Sequence, residues 1–99
     1  MAKTGSLRLG VLGSGRGSNL VAIADAIGRG DLPAKITVAI SDVEDAAFLQ
    51  HAEQLGIPGQ FIHPGKYRTK LDENAEQAYI AALQSAHVDL VVLAGFMRI

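Results

Sequence analysis

Four short apolar runs, each separated from the next by one helix-length stretch, constrain this chain more than any other feature. Leu7–Leu12 (LRLGVL), Ile36–Ile40, Gly59–Ile62 and Val88–Leu93 read as strands. The stretches between them carry apolar residues at helical spacing. Ser18–Ile27 places Leu20, Ile23, Ala24 and Ile27 on one stripe, and Leu71, Ala75, Ala78, Tyr79, Ala82, Leu83 and Ala86 form another. The middle helix runs from a cap at Asp42, with Asp45 at the capping-box offset, to about Leu55. Gly28, Gly30 and Pro33, then Gly56 and Pro58, then His63-Pro64-Gly65 punctuate the segments. Strands alternating with single helices dictate a parallel sheet with crossover helices. Strands without a polar face fit helices on both sides. The expected fold is α/β and Rossmann-like, a doubly wound parallel sheet in the order β-α-β-α-β-α-β.

The chain has 99 residues, enough for one small domain. Residues 1–6 are small and polar and read as a flexible leader, leaving residues 7–99 for the fold. That is close to the lower limit for a sheet covered on two faces. The fourth strand would form an apolar edge with no following helix, so the sheet reads as incomplete at the C-terminus. Further chain, or another copy in a homo-oligomer, would cover that edge.

Lys and Arg number 9 against 10 Asp and Glu, for a net charge of −1. There is no basic field for counterion-releasing contact with nucleic acid. The apolar runs are far shorter than the roughly 18 residues that cross a bilayer, so no membrane association is expected. No secretory signal is evident, and the cytoplasm is the expected compartment. With no cysteine, disulfides, thiolate nucleophiles and cysteine-held metals are excluded. His51, His63 and His87 fall on separate elements without ligand spacing, so no metal is expected.

The chemistry-bearing stretch is Gly13-Ser14-Gly15-Arg16-Gly17-Ser18-Asn19, between the first strand and the first helix. Glycines allow positive φ and close backbone approach. The helix behind them offers unpaired N–H groups and the positive end of its dipole, which together suit a phosphate. A plain strand-to-helix turn also uses Gly and Ser, but this density of such residues at the first βα turn favours a ligand site. A Walker A loop needs Gly-Lys-Ser/Thr, and no Lys is present. In a dinucleotide fingerprint starting at Gly13 and Gly15, the third glycine would fall on Ser18, so that match is broken. Asp42 stands where a ribose-binding acid would, although a helix cap is the favoured role. A non-catalytic dinucleotide-binding module built on Gly13, Gly15 and Asp42 therefore stays an alternative.

In a doubly wound sheet the first strand is central, and the fourth pairs beside it, opposite the second. Ligands bind at the carboxyl ends of those strands. Topology alone therefore brings Gly95-Phe96-Met97-Arg98-Ile99 next to Gly15–Asn19. Phe96 by itself reads as an ordinary core residue.

The pair S-G-R-G-S-N-L after the first strand and V-V-L-A-G-F-M-R-I at the fourth resembles the phosphoribosylglycinamide formyltransferase family. The likeness spans Leu7 to Ile99. It implies transfer of a formyl group from the co-substrate 10-formyltetrahydrofolate to 5'-phosphoribosylglycinamide, a step of purine biosynthesis with small molecules as partners. It implies that Gly15, Arg16, Gly17, Ser18 and Asn19 hold the substrate phosphate and that Met97 borders the glycinamide and ribose. Arg98 and Ile99 would begin the folate pocket. A side chain from Lys66, Arg68 or Lys70 is a further candidate for an anionic group, beside a plain solvated loop. The family usually has Asn where this chain has Asp42. Its transfer step uses an Asn-x-His motif after the fourth strand, and these 99 residues contain none, so no catalytic residue is assigned and the chain alone is expected to be inactive. A related alternative is a formyltetrahydrofolate hydrolase. The first loop of that group resembles S-x-x-x-H-C-L, unlike Ser18 and Asn19 here.

Overall fold

The computed structural model describes residues 7–63, 65 and 72–96. The leader at residues 1–6, Lys66, Arg68 and Lys70, and Met97, Arg98 and Ile99 lie outside the described residues.

The elements run β1 (Leu7–Gly13), α1 (Ser18–Gly28), β2 (Ala34–Ser41), α2 (Ala47–Gln54), β3 (Gly59–Phe61), α3 (Glu73–Ser85) and β4 (Leu90–Leu93). The strands form one sheet in the order β3-β2-β1-β4, and all neighbouring pairs are parallel. This is the doubly wound arrangement expected from the alternation, with β1 central and β4 beside it.

Two-residue periodicity divides the core between the faces. Val11 and Ala39 point to one side and cluster with Leu20 of α1 and Phe48 and Ala52 of α2. Their sequence neighbours Leu12, Val38 and Ile40 point to the other side and pack with Tyr79 of α3 and with Phe96. Phe96 is thus the core residue expected of it. Among the described residues β4 is a sheet edge, and Leu90, Val91 and Leu93 are 50%, 42% and 52% exposed.

Of the boundaries that differ from the sequence reading, three have a clear local cause. Asp42 does not cap α2, and Asp45 completes no capping box. Ser41 closes a local turn first, its Oγ accepting from the Val43 N–H at 3.0 Å, and the helix starts only at Ala47 with Ala46 as its cap. Asp42 is drawn inside instead, 6% exposed. α3 starts at Glu73 behind Asp72, whose Oδ1 accepts from the Ala75 N–H at 2.8 Å. β4 starts at Leu90, because the Val88 N–H still bonds the Leu83 carbonyl and His87 holds a positive φ of 55°. Asp89 then ties the strand start to β1. It accepts from the Arg8 backbone N–H at 2.9 Å and from the guanidinium, and its own N–H donates to the Arg8 carbonyl at 2.7 Å.

Candidate functional site

The site begins where β1 ends. Gly13 pairs with Ser41 of β2, and Leu12 pairs with Leu93 of β4. The Ala94 N–H donates to the Leu12 carbonyl at 2.8 Å, so the chain leaving β4 runs beside the chain leaving β1. Of the segment expected to meet Gly15–Asn19, residues 97–99 lie outside the described residues, but the residue just before it approaches the loop's helix. Asn19 and Ala94 line one shallow cleft of about 350 Å³ along α1.

Phe48 shapes the loop from below. It is fully buried, and a Cβ on Gly13 would lie 2.4 Å from its ring, so only glycine lets β1 cross that aromatic edge. Its backbone N–H donates to the Gly15 carbonyl at 3.1 Å. That N–H is one of the donors an α-helix leaves unpaired in its first turn. Ala46, the cap of α2, provides no side-chain bond, and the loop carbonyl partners the donor instead. The brace therefore ties the first turn of α2 to the middle of the glycine-rich loop.

Gly17 caps α1 at φ 80°, ψ 15°, in the left-handed region. It is buried, and a Cβ there would lie 2.8 Å from the Phe48 Cα and 3.1 Å from the His51 Cδ2. Without a side chain, it makes no capping bond. The first bond along α1 runs from the Val21 N–H to the Gly17 carbonyl at 3.0 Å. The N–H groups of Ser18, Asn19 and Leu20 precede that bond and have no partner within the helix.

Around this end the side chains of Arg16, Ser18 and Asn19 are exposed, as is Gly15, whereas Gly17 is covered. The structure thus places the five predicted loop residues at one helix start, with a cation, a hydroxyl and an amide beside the first-turn N–H groups of the exposed Ser18 and Asn19. This arrangement suits a compact polyanion such as a phosphate. Asp42 adds little as an open ribose acceptor, because it is buried at the end of β2. His63 follows β3 and its Nδ1 accepts from the Gly65 N–H at 2.9 Å, while His87 lies at the opposite end of the sheet. Among the described residues no cluster of acidic and histidine side chains could hold a metal, and no helix is long and apolar enough to cross a membrane.

His51, which the sequence reading considered only as a metal ligand, lies on α2. It is half-buried against Gly17. The signal was its spacing from Phe48: three residues apart on a helix, they share a face.

The sequence matches the formyl transferase family over residues 7–99. The phosphoribosylglycinamide formyltransferase of Haemophilus influenzae is 42% identical over 92 residues, which cover 93% of this chain and 42% of that protein. The crystal structure of glycinamide ribonucleotide transformylase 1 from Symbiobacterium toebii matches with a TM-score of 0.85 and 39% identity, over 95% of this chain and 43% of its own. A formyltetrahydrofolate deformylase from Pseudomonas putida KT2440 also reaches a TM-score of 0.85, at 17% identity over 100% of this chain and 34% of its own, a likeness of fold alone. This chain spans less than half the length of each of these relatives.

Proposed function

Because the chain belongs to the formyl transferase family, we propose that it is the substrate-phosphate part of a phosphoribosylglycinamide formyltransferase. The whole activity would move a formyl group from 10-formyltetrahydrofolate to the amine of 5'-phosphoribosylglycinamide, in purine biosynthesis in the cytoplasm, with small molecules as its partners. The observation that carries this reading is the loop Gly15–Asn19, which leaves the first-turn donors of α1 open beside the carboxyl end of β4.

Each residue has a definable task. The N–H groups at Ser18 and Asn19 would donate to phosphate oxygens, and the dipole of α1 would favour the bound charge. The Arg16 guanidinium and the Ser18 hydroxyl would add directional donors. Gly17 would keep the loop low enough for the phosphate to reach the helix start. Met97 would border the ribose, and Arg98 and Ile99 would open the folate pocket. Formyl transfer also needs donors for a tetrahedral oxyanion and a group that moves protons. The family's Asn-x-His motif for that work is missing from these 99 residues. The chain would therefore bind the phosphorylated substrate without turning it over.

Thermal shift tests the binding half. A ligand present at ten times its Kd stabilises by about 1.4 kcal/mol, a rise of several degrees for a domain of this size. Phosphoribosylglycinamide should produce that rise and NAD should not. Stabilisation by NAD alone would establish the dinucleotide-binding alternative. Measurable formyl transfer by the 99-residue chain would overturn its assignment as a binding part only.

A further inference from the structure

His51 is in contact with the anion loop and has no task in the reading above. Its Cδ2 lies 3.1 Å from where a Gly17 Cβ would stand, so the edge of the imidazole rests on the backbone of the residue that caps α1. The helix that carries the ring is anchored to the loop. Phe48, one turn earlier on α2, is fully buried and its N–H is bonded to the Gly15 carbonyl. The first-turn donors of α1 and the imidazole therefore approach Gly17 from two different helices.

Resting on the phosphate-site reading, we propose that His51 is a positioning residue of the anion site that carries its proton when phosphate is bound, so that phosphate binds more tightly as the pH falls. A cation on the α2 side of Gly17 would favour a dianion bound at the loop, and the dianion in turn would favour the protonated ring. Histidine is the residue type that makes this change between about pH 5 and 8. The charged groups on the surrounding elements are Arg16 in the loop, Glu44 and Asp45 in the β2–α2 turn, Glu53 on α2, and Asp25 and Arg29 on α1. Asp25 and Arg29 are ion-paired with each other. Neither of the other histidines lies on these elements: His63 follows β3 and His87 precedes β4.

Ribose 5-phosphate is a suitable probe, followed by the amide NMR signals of Gly15, Gly17, Ser18 and Asn19. The probe has its own second pKa near 6, so each variant is compared with the parent chain at the same pH, where that effect cancels. His51→Gln should weaken binding about 3- to 10-fold near pH 6, and less than twofold near pH 8.5. His51→Arg, with a fixed charge, should bind as tightly near pH 8.5 as the parent does near pH 6, after the same correction. A readout without mutation guards against misfolding: on adding ribose 5-phosphate the His51 ring signals should titrate about 0.5–1 pH unit higher, the same 3- to 10-fold change by linkage. Parallel pH profiles for parent and His51→Gln, or a ring titration unmoved by ribose 5-phosphate while the loop amides respond, would overturn the role of His51 and leave the phosphate site standing. Loop amides that do not respond at any pH would overturn the phosphate site itself.

Discussion

Gly17→Ala measures how firmly α2 holds the loop. Two costs follow from the geometry. The residue sits at φ 80°, a conformation that costs an L-residue with a side chain roughly 1–2 kcal/mol. The new methyl would also stand 2.8 Å from the Phe48 Cα and 3.4 Å from its N. These are backbone atoms of a helix and cannot swing aside, so overpacking of roughly 1–3 kcal/mol is expected. Together the substitution should destabilise by about 2–5 kcal/mol, with the midpoint of thermal unfolding falling by roughly 10–40 °C. Gly15→Ala is the internal control. No atom lies within 4 Å of a Cβ there and φ is outside the left-handed region, so the change should stay within about 0.5 kcal/mol. Urea unfolding reports both, provided the denaturant slope is unchanged. If Gly17→Ala proves as stable as Gly15→Ala, the loop is not pinned against α2. The account of Gly17 as the residue that lets the phosphate approach the helix would fall with it.

Three further outcomes are expected. Phe48→Ala removes the fully buried ring beneath Gly13 and the loop and should cost about 3–5 kcal/mol in urea unfolding, weakening ribose 5-phosphate binding in whatever fraction stays folded. Tyr79→Phe deletes the hydroxyl that donates to the Ile62 carbonyl at 2.9 Å but keeps the ring against Phe96, so a loss near 1 kcal/mol with the same fold by circular dichroism is expected. The Arg8 guanidinium and backbone N–H beside Asp89 hold its carboxyl below the ordinary aspartate range. A depressed carboxylate stabilises the fold above its unfolded pKa and loses that contribution as pH falls through the folded value. Asp89→Asn should therefore lower the melting temperature near neutral pH, and the gap from the parent should close from about pH 5 downward; a gap independent of pH would refute the ionic contribution.

The strand pattern made the sheet legible because both sides of each central strand are buried. Val11 and Leu12, like Ala39 and Ile40, face opposite layers and are all apolar. The position of β4 beside β1 followed from the doubly wound rule. The start of α2 was hidden by a local competition. Asp42 and Asp45 have capping spacing, but Ser41 closes its turn on Val43 first, and the decisive N–H of the helix is met by the Gly15 carbonyl, 33 residues away in the chain. No local pattern encodes such a bond. The bulge between Leu9 and Gly10, where β2 runs past β1 by one residue, was hidden for the same reason. Thr37 is the residue passed over, and its hydroxyl reaches the Leu9 carbonyl at 3.4 Å. Only the assembled sheet shows that fit.

The two ends of the sheet are built for opposite purposes. At the amino end Arg8 and Asp89 bond backbone to backbone and side chain to side chain, so β1 and β4 enter the sheet already tied. At the carboxyl end the same two strands open onto a helix start whose cap is a glycine. Asn, Asp or Ser at that position would place its own oxygen on the first-turn N–H groups, typically stabilising the helix relative to an uncapped residue. Such a side chain would also occupy the donors and, at Gly17, collide with Phe48. Glycine gives up a few tenths of a kcal/mol of capping and leaves those donors to an incoming anion. The brace from α2 offsets that loss, because the Phe48 N–H holds the loop through its carbonyl at Gly15 and leaves the N–H side of the loop open. A loop held by its acceptors and open at its donors would suit an anion, and in the proposed reading this polarity, more than the count of glycines, sets the loop apart from an ordinary tight turn.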